Sequence, residues 1–311
     1  MATEGVASHE PLVMSEPSRV KNVLLLGATG WIGGQLKTML EGMSDRFKVF
    51  VTKQRLNHFD MKEIELDIIV DNIDCVVNCA GLTGRPNVDW CETHTHEVIQ
   101  VNVIGTLALM EVCAKQGCHL INMATGCIFG YDEEHPIGGV PFKEEDEANF
   151  AGSFYSLTKA MVDRLAPFYA DVLHLRLRMP ITCDGNPRCF VTKIRSYEKV
   201  VNIPNSMSVL PDLLPLIPQM IERHIVGRLN FVNPGPISHN EILDMHKELV
   251  DPAFSYTNFD LAEHDTVVVA KRSNNTLDTT RIETLFPQVK PVHEALRECM
   301  VANAGCVMRN A

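Results

Sequence analysis

The chain has 311 residues and a formal net charge of −11 at neutral pH, a balance that excludes a protein built to grip nucleic acid, because counterion release needs clustered lysine and arginine. An anionic small molecule remains accessible to it through local arginines. Forty-five per cent of the residues are hydrophobic, enough for one large α/β domain or two lobes sharing an interface, yet no apolar run approaches the roughly eighteen residues needed to cross a bilayer.

The first twenty residues, with Pro11, Pro17 and scattered acids, carry no hydrophobic period and are expected to be a disordered tail. They also lack a basic start followed by an apolar stretch, so the chain reads as unsecreted. Ten cysteines without paired zinc-ligand spacing, some inside apolar runs such as Cys75 and Cys79, point to reduced thiols in a cytoplasmic protein. From Lys21 onward short apolar runs alternate with longer helical stretches. The strand candidates are Asn22–Leu26, Lys48–Thr52, Asp74–Cys79, His119–Met123 and Val172–Arg176. Between them lie helical segments such as Trp90–Gln116 and Gly152–Tyr169. Strand and helix in alternation predict an α/β fold, a Rossmann-type doubly wound parallel sheet, over residues 21–178. After Arg178 proline becomes frequent, and a helix at His239–Val250 stands beside an isolated strand at Leu229–Val232. Residues 179–311 are read as a smaller substrate-binding lobe over the carboxyl edge of the sheet, with an interleaved boundary.

The stretch GATGWIGG places Gly27, Gly30 and Gly33 where the first strand hands over to a helix. Glycines there give a tight turn, a close backbone approach to a pyrophosphate and near contact of helix and sheet. An ordinary strand-to-helix turn is the alternative. Thr29, Trp31 and Ile32 in the same turn, and Ala80 after the third strand, complete the expected cofactor set. The second strand ends in Thr52-Lys53-Gln54-Arg55, with no acid to hold ribose hydroxyls. Lys53 or Arg55 would then receive a 2′-phosphate, which favours NADPH, unless this is a solvated charged loop.

In GSFYSLTKA, Tyr155 and Lys159 are four residues apart and share one helix face. An ammonium beside a phenol is expected to lower its pKa, so that the phenol passes a proton to a carbonyl oxygen while hydride reaches the carbon. Thr125 ends a strand thirty residues upstream and could hydrogen-bond the same oxygen. The pair alone arises often by chance; the three together are specific.

These motifs, in this order, resemble those of the extended short-chain dehydrogenase/reductases. More closely, the chain resembles the bifunctional nucleotide-rhamnose synthases, UDP-4-keto-6-deoxyglucose 3,5-epimerase/4-reductases similar to dTDP-4-dehydrorhamnose reductase. The resemblance runs from about Lys21 to Val301, through NCAGLTGRPNVDWCE, VNVIGTL, INMATGCIFGYD, RLRMPI, NPRCFVTKI and RSNNTLD. It implies reduction of a 4-keto sugar by NADPH, with Thr125, Tyr155 and Lys159 at the catalytic positions. It also implies epimerisation of carbons 3 and 5 by a Cys and a Lys, matched here by Cys127 and Lys193. Without the resemblance, Cys127 would be a core thiol and Lys193 a surface cation.

Asn102 matches a position where these reductases keep an Asn, although an Asn in a helix can simply bond locally. Arg85, Arg188 and Arg272 are candidates for holding substrate or its diphosphate, since a guanidinium forks onto phosphate oxygens, and Asn186 joins them in the NPR loop. Each arginine could equally be a surface ion-pair partner. His94 and His96 read as solvated helix, and the chemistry needs no metal. Two further readings stay open: a reductase that receives an already epimerised sugar, and a non-catalytic NADP-binding regulatory subunit like that of methionine adenosyltransferase. Relatives often dimerise through the helices expected at Trp90–Gln116 and Gly152–Tyr169, so a homodimer is expected, with no nucleic-acid or membrane partner.

Overall fold

The structure, a computed structural model, describes residues 19–57, 59–259 and 270–307. Residues 1–18 of the expected tail lie outside the described residues; of the rest, Arg19 forms an ion pair with Asp74. The described strands are β1 (Lys21–Leu26), β2 (Phe47–Val51), β3 (Cys75–Asn78), β4 (His119–Thr125), β5 (Val172–Leu177), β6 (Lys199–Val200), β7 (Gly227–Asn230) and β8 (Thr257–Asn258). Six of them form one sheet in the order β2-β1-β3-β4-β5-β7, parallel throughout, while β6 and β8 pair separately.

Because helices cover both faces, the strands are almost continuously apolar. Val23, Leu25, Val77 and Ile121 pack on one side against Leu36 and Leu40 of the helix Trp31–Glu41. Leu24, Leu26, Val76 and Leu120 pack on the other against Ile64 and Ile68 of Met61–Val70 and Leu109 of Thr106–Gln116. Each buried aliphatic side chain contributes about 1.5–3 kcal/mol, so packing on both faces holds the sheet in place.

A second core gathers Ile181, Ile194, Val209, Ile242, Leu296 and Met300 from the C-terminal half. Trp31 packs against both cores, joining them behind the first glycine turn. The isolated strand expected at Leu229–Val232 instead spans Gly227–Asn230 and returns to the large sheet beside β5. The sheet therefore draws its last strand from the second half of the chain.

Two expectations about the segment after Trp90 need correction. The single helix is broken at His94 and widens into a π-helical stretch, Ile99–Gly105, before Thr106–Gln116. An alanine Cβ at Gly105 would lie 2.7 Å from the Leu56 carbonyl, and Asn102 turns inward; a π turn re-aims such residues and often marks functional sites. The helix Thr95–Gln116 is also long and apolar enough, at 22 residues with a mean hydropathy of 1.5, to span a bilayer by length and composition. It packs one face on the sheet through Leu109, Met110 and Cys113.

Candidate active site

In a doubly wound sheet, ligands bind beyond the carboxyl ends of the strands where the strand order reverses. Here that point lies between β1 and β3. Gly27 has φ +74, and a Cβ there would fall 2.7 Å from the Ala80 nitrogen; one at Gly33 would fall 2.2 Å from the Gly27 carbonyl oxygen. The turn therefore closes only with glycines, bringing the β1 and β3 loops into backbone contact. Gly30 caps the helix Trp31–Glu41 with no side-chain hydrogen bond and no acid in the first turn. Its leading N–H groups and positive dipole end are left for an anion.

These residues fit a dinucleotide. The cradle is one that side chains would fill, and the buried Trp31 Nε1 has no hydrogen-bond partner. Thr29 is exposed at the turn, and Ile32 packs against the first core. Beyond β2, Lys53 and Arg55 are both exposed. The nearby carboxylates are engaged elsewhere: Asp67 accepts from the Thr52 hydroxyl at 2.8 Å and Asp60 from the Arg55 backbone N–H at 2.7 Å.

At the end of β4, Thr125 faces the helix Phe154–Leu165, which starts where the Ser153 side chain accepts from the Ser156 N–H. The Tyr155 hydroxyl lies in hydrogen-bond reach of the Thr125 side chain, with Cys127 close enough to disfavour the phenolate. Cys127 is half-buried and packs beside Tyr155; its N–H donates to the Thr125 Oγ1 at 3.1 Å. Lys159 Nζ is 6.0 Å from the Tyr155 ring centre, and a Cβ at Gly81 would lie 3.5 Å from both Lys159 Nζ and Asn102 Oδ1.

The electrostatics depart from expectation. Burial pushes the Tyr155 phenol well above its ordinary value, and the Lys159 charge does not figure among the causes. Burial also brings the Lys159 ammonium down to about 8. Desolvation thus outweighs any attraction between the two, because both groups are removed from water. The phenol is held protonated, ready to donate.

Gly81, Leu82, Thr83, Gly84, Arg85, Trp90 and Arg188 line a cleft of about 380 Å³ beyond β3. Arg85 and Arg188 come from opposite halves of the chain. Burial, then the charge of Arg85, lowers the Arg188 guanidinium. Burial, then Arg188, lowers the Lys193 ammonium, which sits half-buried in the helix Phe190–Arg195. Arg85 and Arg188 thus line the cleft as cations, with Lys193 near enough to Arg188 to feel its charge.

Three expected substrate contacts prove to be engaged with protein. Arg272 forks onto Asp89 at 2.8 and 3.1 Å, and that hydrogen bond holds the Asp89 carboxyl below its ordinary value. Asn102 is fully buried and clamps Leu82, accepting its N–H at 2.9 Å and donating to its carbonyl at 2.8 Å. It bonds the cleft loop, not its own helix. The Asn186 side chain accepts the Arg188 N–H at 2.9 Å, shaping the turn that presents that arginine. His94 stacks on Trp90 at 3.8 Å, and among the described residues no group of three or more His, Cys, Asp or Glu could hold a metal. Sequence reasoning passed over Arg178 and Ser273, which lie buried behind Cys127. The signal of Arg178 was a charged residue at the end of an apolar strand, in RLRMPI; Ser273 gave none.

Residues 23–178 match the model of the NAD dependent epimerase/dehydratase family. A bifunctional dTDP-4-dehydrorhamnose 3,5-epimerase/dTDP-4-dehydrorhamnose reductase of Arabidopsis thaliana is 51% identical over 277 residues, 88% of this chain and 91% of that protein. The chain also matches trifunctional enzymes of the same plant, spanning only 40–42% of their length. Among solved structures, the L780 UDP-rhamnose synthase of Acanthamoeba polyphaga mimivirus superposes with a TM-score of 0.85 at 35% identity, over 91% of this chain and 99% of that one. A dTDP-4-dehydrorhamnose reductase of Bacillus anthracis, solved in complex with NADP, shares the fold at a TM-score of 0.75 and 18% identity, over 92% of this chain and 100% of that one.

Proposed function

The chain belongs to the NAD dependent epimerase/dehydratase family, and on that premise we propose that it converts a nucleotide-linked 4-keto-6-deoxyglucose into nucleotide-L-rhamnose, inverting carbons 3 and 5 and reducing carbon 4. The observation that carries this reading is the meeting of Thr125, Tyr155 and Cys127 at the end of β4. One site then holds a proton donor for a ketone oxygen and a thiol for the carbons beside it.

NADPH, when bound, supplies the hydride. Gly27, Gly30 and Gly33 would hold its pyrophosphate, and Lys53 and Arg55 would take its 2′-phosphate. Tyr155, kept protonated by burial, donates to the carbon 4 oxygen as hydride arrives. Thr125 orients that hydroxyl, and Lys159, near 8, stabilises the resulting phenolate and returns a proton to it. Before reduction, the ketone acidifies the hydrogens on carbons 3 and 5. Cys127 and Lys193, from different elements, remove and return those protons on opposite faces. Arg85 and Arg188 grip the diphosphate, while Asn102 and Asn186 hold the cleft loops and Arg272 braces the cleft through Asp89.

A regulatory, purely NADP-binding role has no use for a desolvated phenol and ammonium. Ile99, Ile104, Met161, Leu165 and Phe168, exposed on the two helices flanking the sheet, support a homodimer through that face. The free thiols of the described cysteines fit a cytoplasmic setting. The test is incubation with UDP- or dTDP-4-keto-6-deoxyglucose and either NADPH or NADH, with identification of the sugar. Rhamnose is the expected product, with NADPH preferred by about tenfold or more, on the order of 1.4 kcal/mol. A sugar reduced without inversion would remove the epimerase half, and no turnover of either nucleotide would remove the whole reading.

A further inference from the structure

Arg178 lies just past the end of β5 and is fully buried. Its guanidinium donates to the Ser273 hydroxyl at 2.7 Å, to the Ser273 carbonyl at 3.1 Å, to the side-chain carbonyl of Asn205 and, at 3.5 Å, to the Gly126 carbonyl. All of these are neutral dipoles. Among the described residues no carboxylate pairs with it, and its Nε has no partner. A buried cation with no counter-charge is strongly unfavourable, and the fold supports this one next to a thiol.

Cys127 lies in hydrogen-bonding reach of the guanidinium. A Cβ at Gly126 would fall 3.1 Å from both Arg178 Cγ and Cδ, so the arginine stem runs directly under the Gly126-Cys127 turn. That turn is pinned: the Gly126 N–H donates to the Leu177 carbonyl at 2.8 Å, and Asn275 donates to the Gly126 carbonyl at 3.0 Å. Tyr155, from the helix Phe154–Leu165, and Arg178 face the thiol, and the Cys91 thiol shares its cluster; Tyr131 faces the guanidinium as well.

We infer that Arg178 is a positioning residue for carbon deprotonation, the resident counter-ion of the Cys127 thiolate. This rests on the reading of Cys127 as the acid–base group of epimerisation. The thiol first loses its proton to solvent. The thiolate then takes a hydrogen from a carbon beside the ketone: the C–H bond breaks, an S–H bond forms, and the electron pair moves onto the carbonyl oxygen, which accepts from Tyr155. The Lys193 ammonium returns a proton to the opposite face, and thiol and amine re-equilibrate with solvent. Arg178 holds the sulfur's negative charge where neutral dipoles alone would not.

The test is the pH dependence of iodoacetamide alkylation at Cys127, located by peptide mass, in the wild type and in Arg178→Gln and Arg178→Met. In both variants the half-maximal pH should move up by about one unit or more, and Arg178→Lys should restore most of the difference. A profile that coincides with wild type in either folded variant overturns the inference. The second measurement leaves Arg178 in place. Cys127→Asp supplies the missing anion permanently, and its Tm should rise by about 2 °C or more; a fall would overturn the inference. Neither readout involves a sugar, so a failure of the epimerisation reading would appear in isotope exchange and not here.

Discussion

Arg176 and Arg178 stand two residues apart and are both fully buried, yet the molecule treats their charges in opposite ways. Arg176 forks onto Asp163 at 2.8 and 2.7 Å and lies over the Phe129 ring. Burial would raise the Asp163 carboxyl, but the Arg176 hydrogen bonds and charge outweigh it and hold the carboxyl below its ordinary value. That pair is satisfied in place and ties β5 to the helix Phe154–Leu165. Arg178 meets hydroxyl and carbonyl dipoles and a thiol. A guanidinium with a fixed partner holds the fold, whereas one held by dipoles is ready for a charge that comes and goes.

The widest separation between the two regions is expected from Asp163→Asn. It strands the Arg176 charge in the core and should lower stability by about 3–5 kcal/mol, read as a drop in urea midpoint, while the protein that remains folded keeps both activities. Loss of activity without loss of stability would break the contrast, because the structural arginine would then be serving the reaction. A smaller effect on the cleft side is expected from Asn102→Ala. It deletes both bonds to Leu82 and should reduce kcat/KM by about 1–3 kcal/mol through misplaced cleft backbone, with cofactor binding largely kept. Unaltered kinetics would show that the Gly81–Arg85 loop holds its shape unaided.

Much of the architecture could be read from the chain. Five apolar runs each gave a strand of the large sheet, because burial on both faces leaves an unbroken hydrophobic signature. The strand Gly227–Asn230 reads from the sequence as isolated, since a four-residue run says nothing about which sheet it joins. The π-helical stretch was invisible because its cause is tertiary: Asn102 reaching Leu82 and Gly105 meeting Leu56. In the site, spacing placed Tyr155 and Lys159 on one helix, and chain order brought Thr125 to them. The direction of the phenol's shift was not legible, because desolvation depends on burial that spacing does not encode. The sequence leaves Arg272 open between a substrate contact and an ion pair, because its partner Asp89 is 183 positions away.

The central claim, that one pocket houses a thiol for inversion and a phenol for reduction, is tested most directly by isotope uptake in Cys127→Ser. The hydroxyl is far less able to ionise than the thiol at nearly constant volume. In deuterated buffer with an unepimerised 4-keto sugar nucleotide, the variant should lose deuterium uptake at carbons 3 and 5, or at one of them if Lys193 serves the other alone. Given a pre-epimerised 4-keto-rhamnose nucleotide, it should still oxidise NADPH to within roughly tenfold of the wild-type rate, because Tyr155 and Lys159 are intact. Wild-type uptake at both carbons in a folded Cys127→Ser protein would contradict the account.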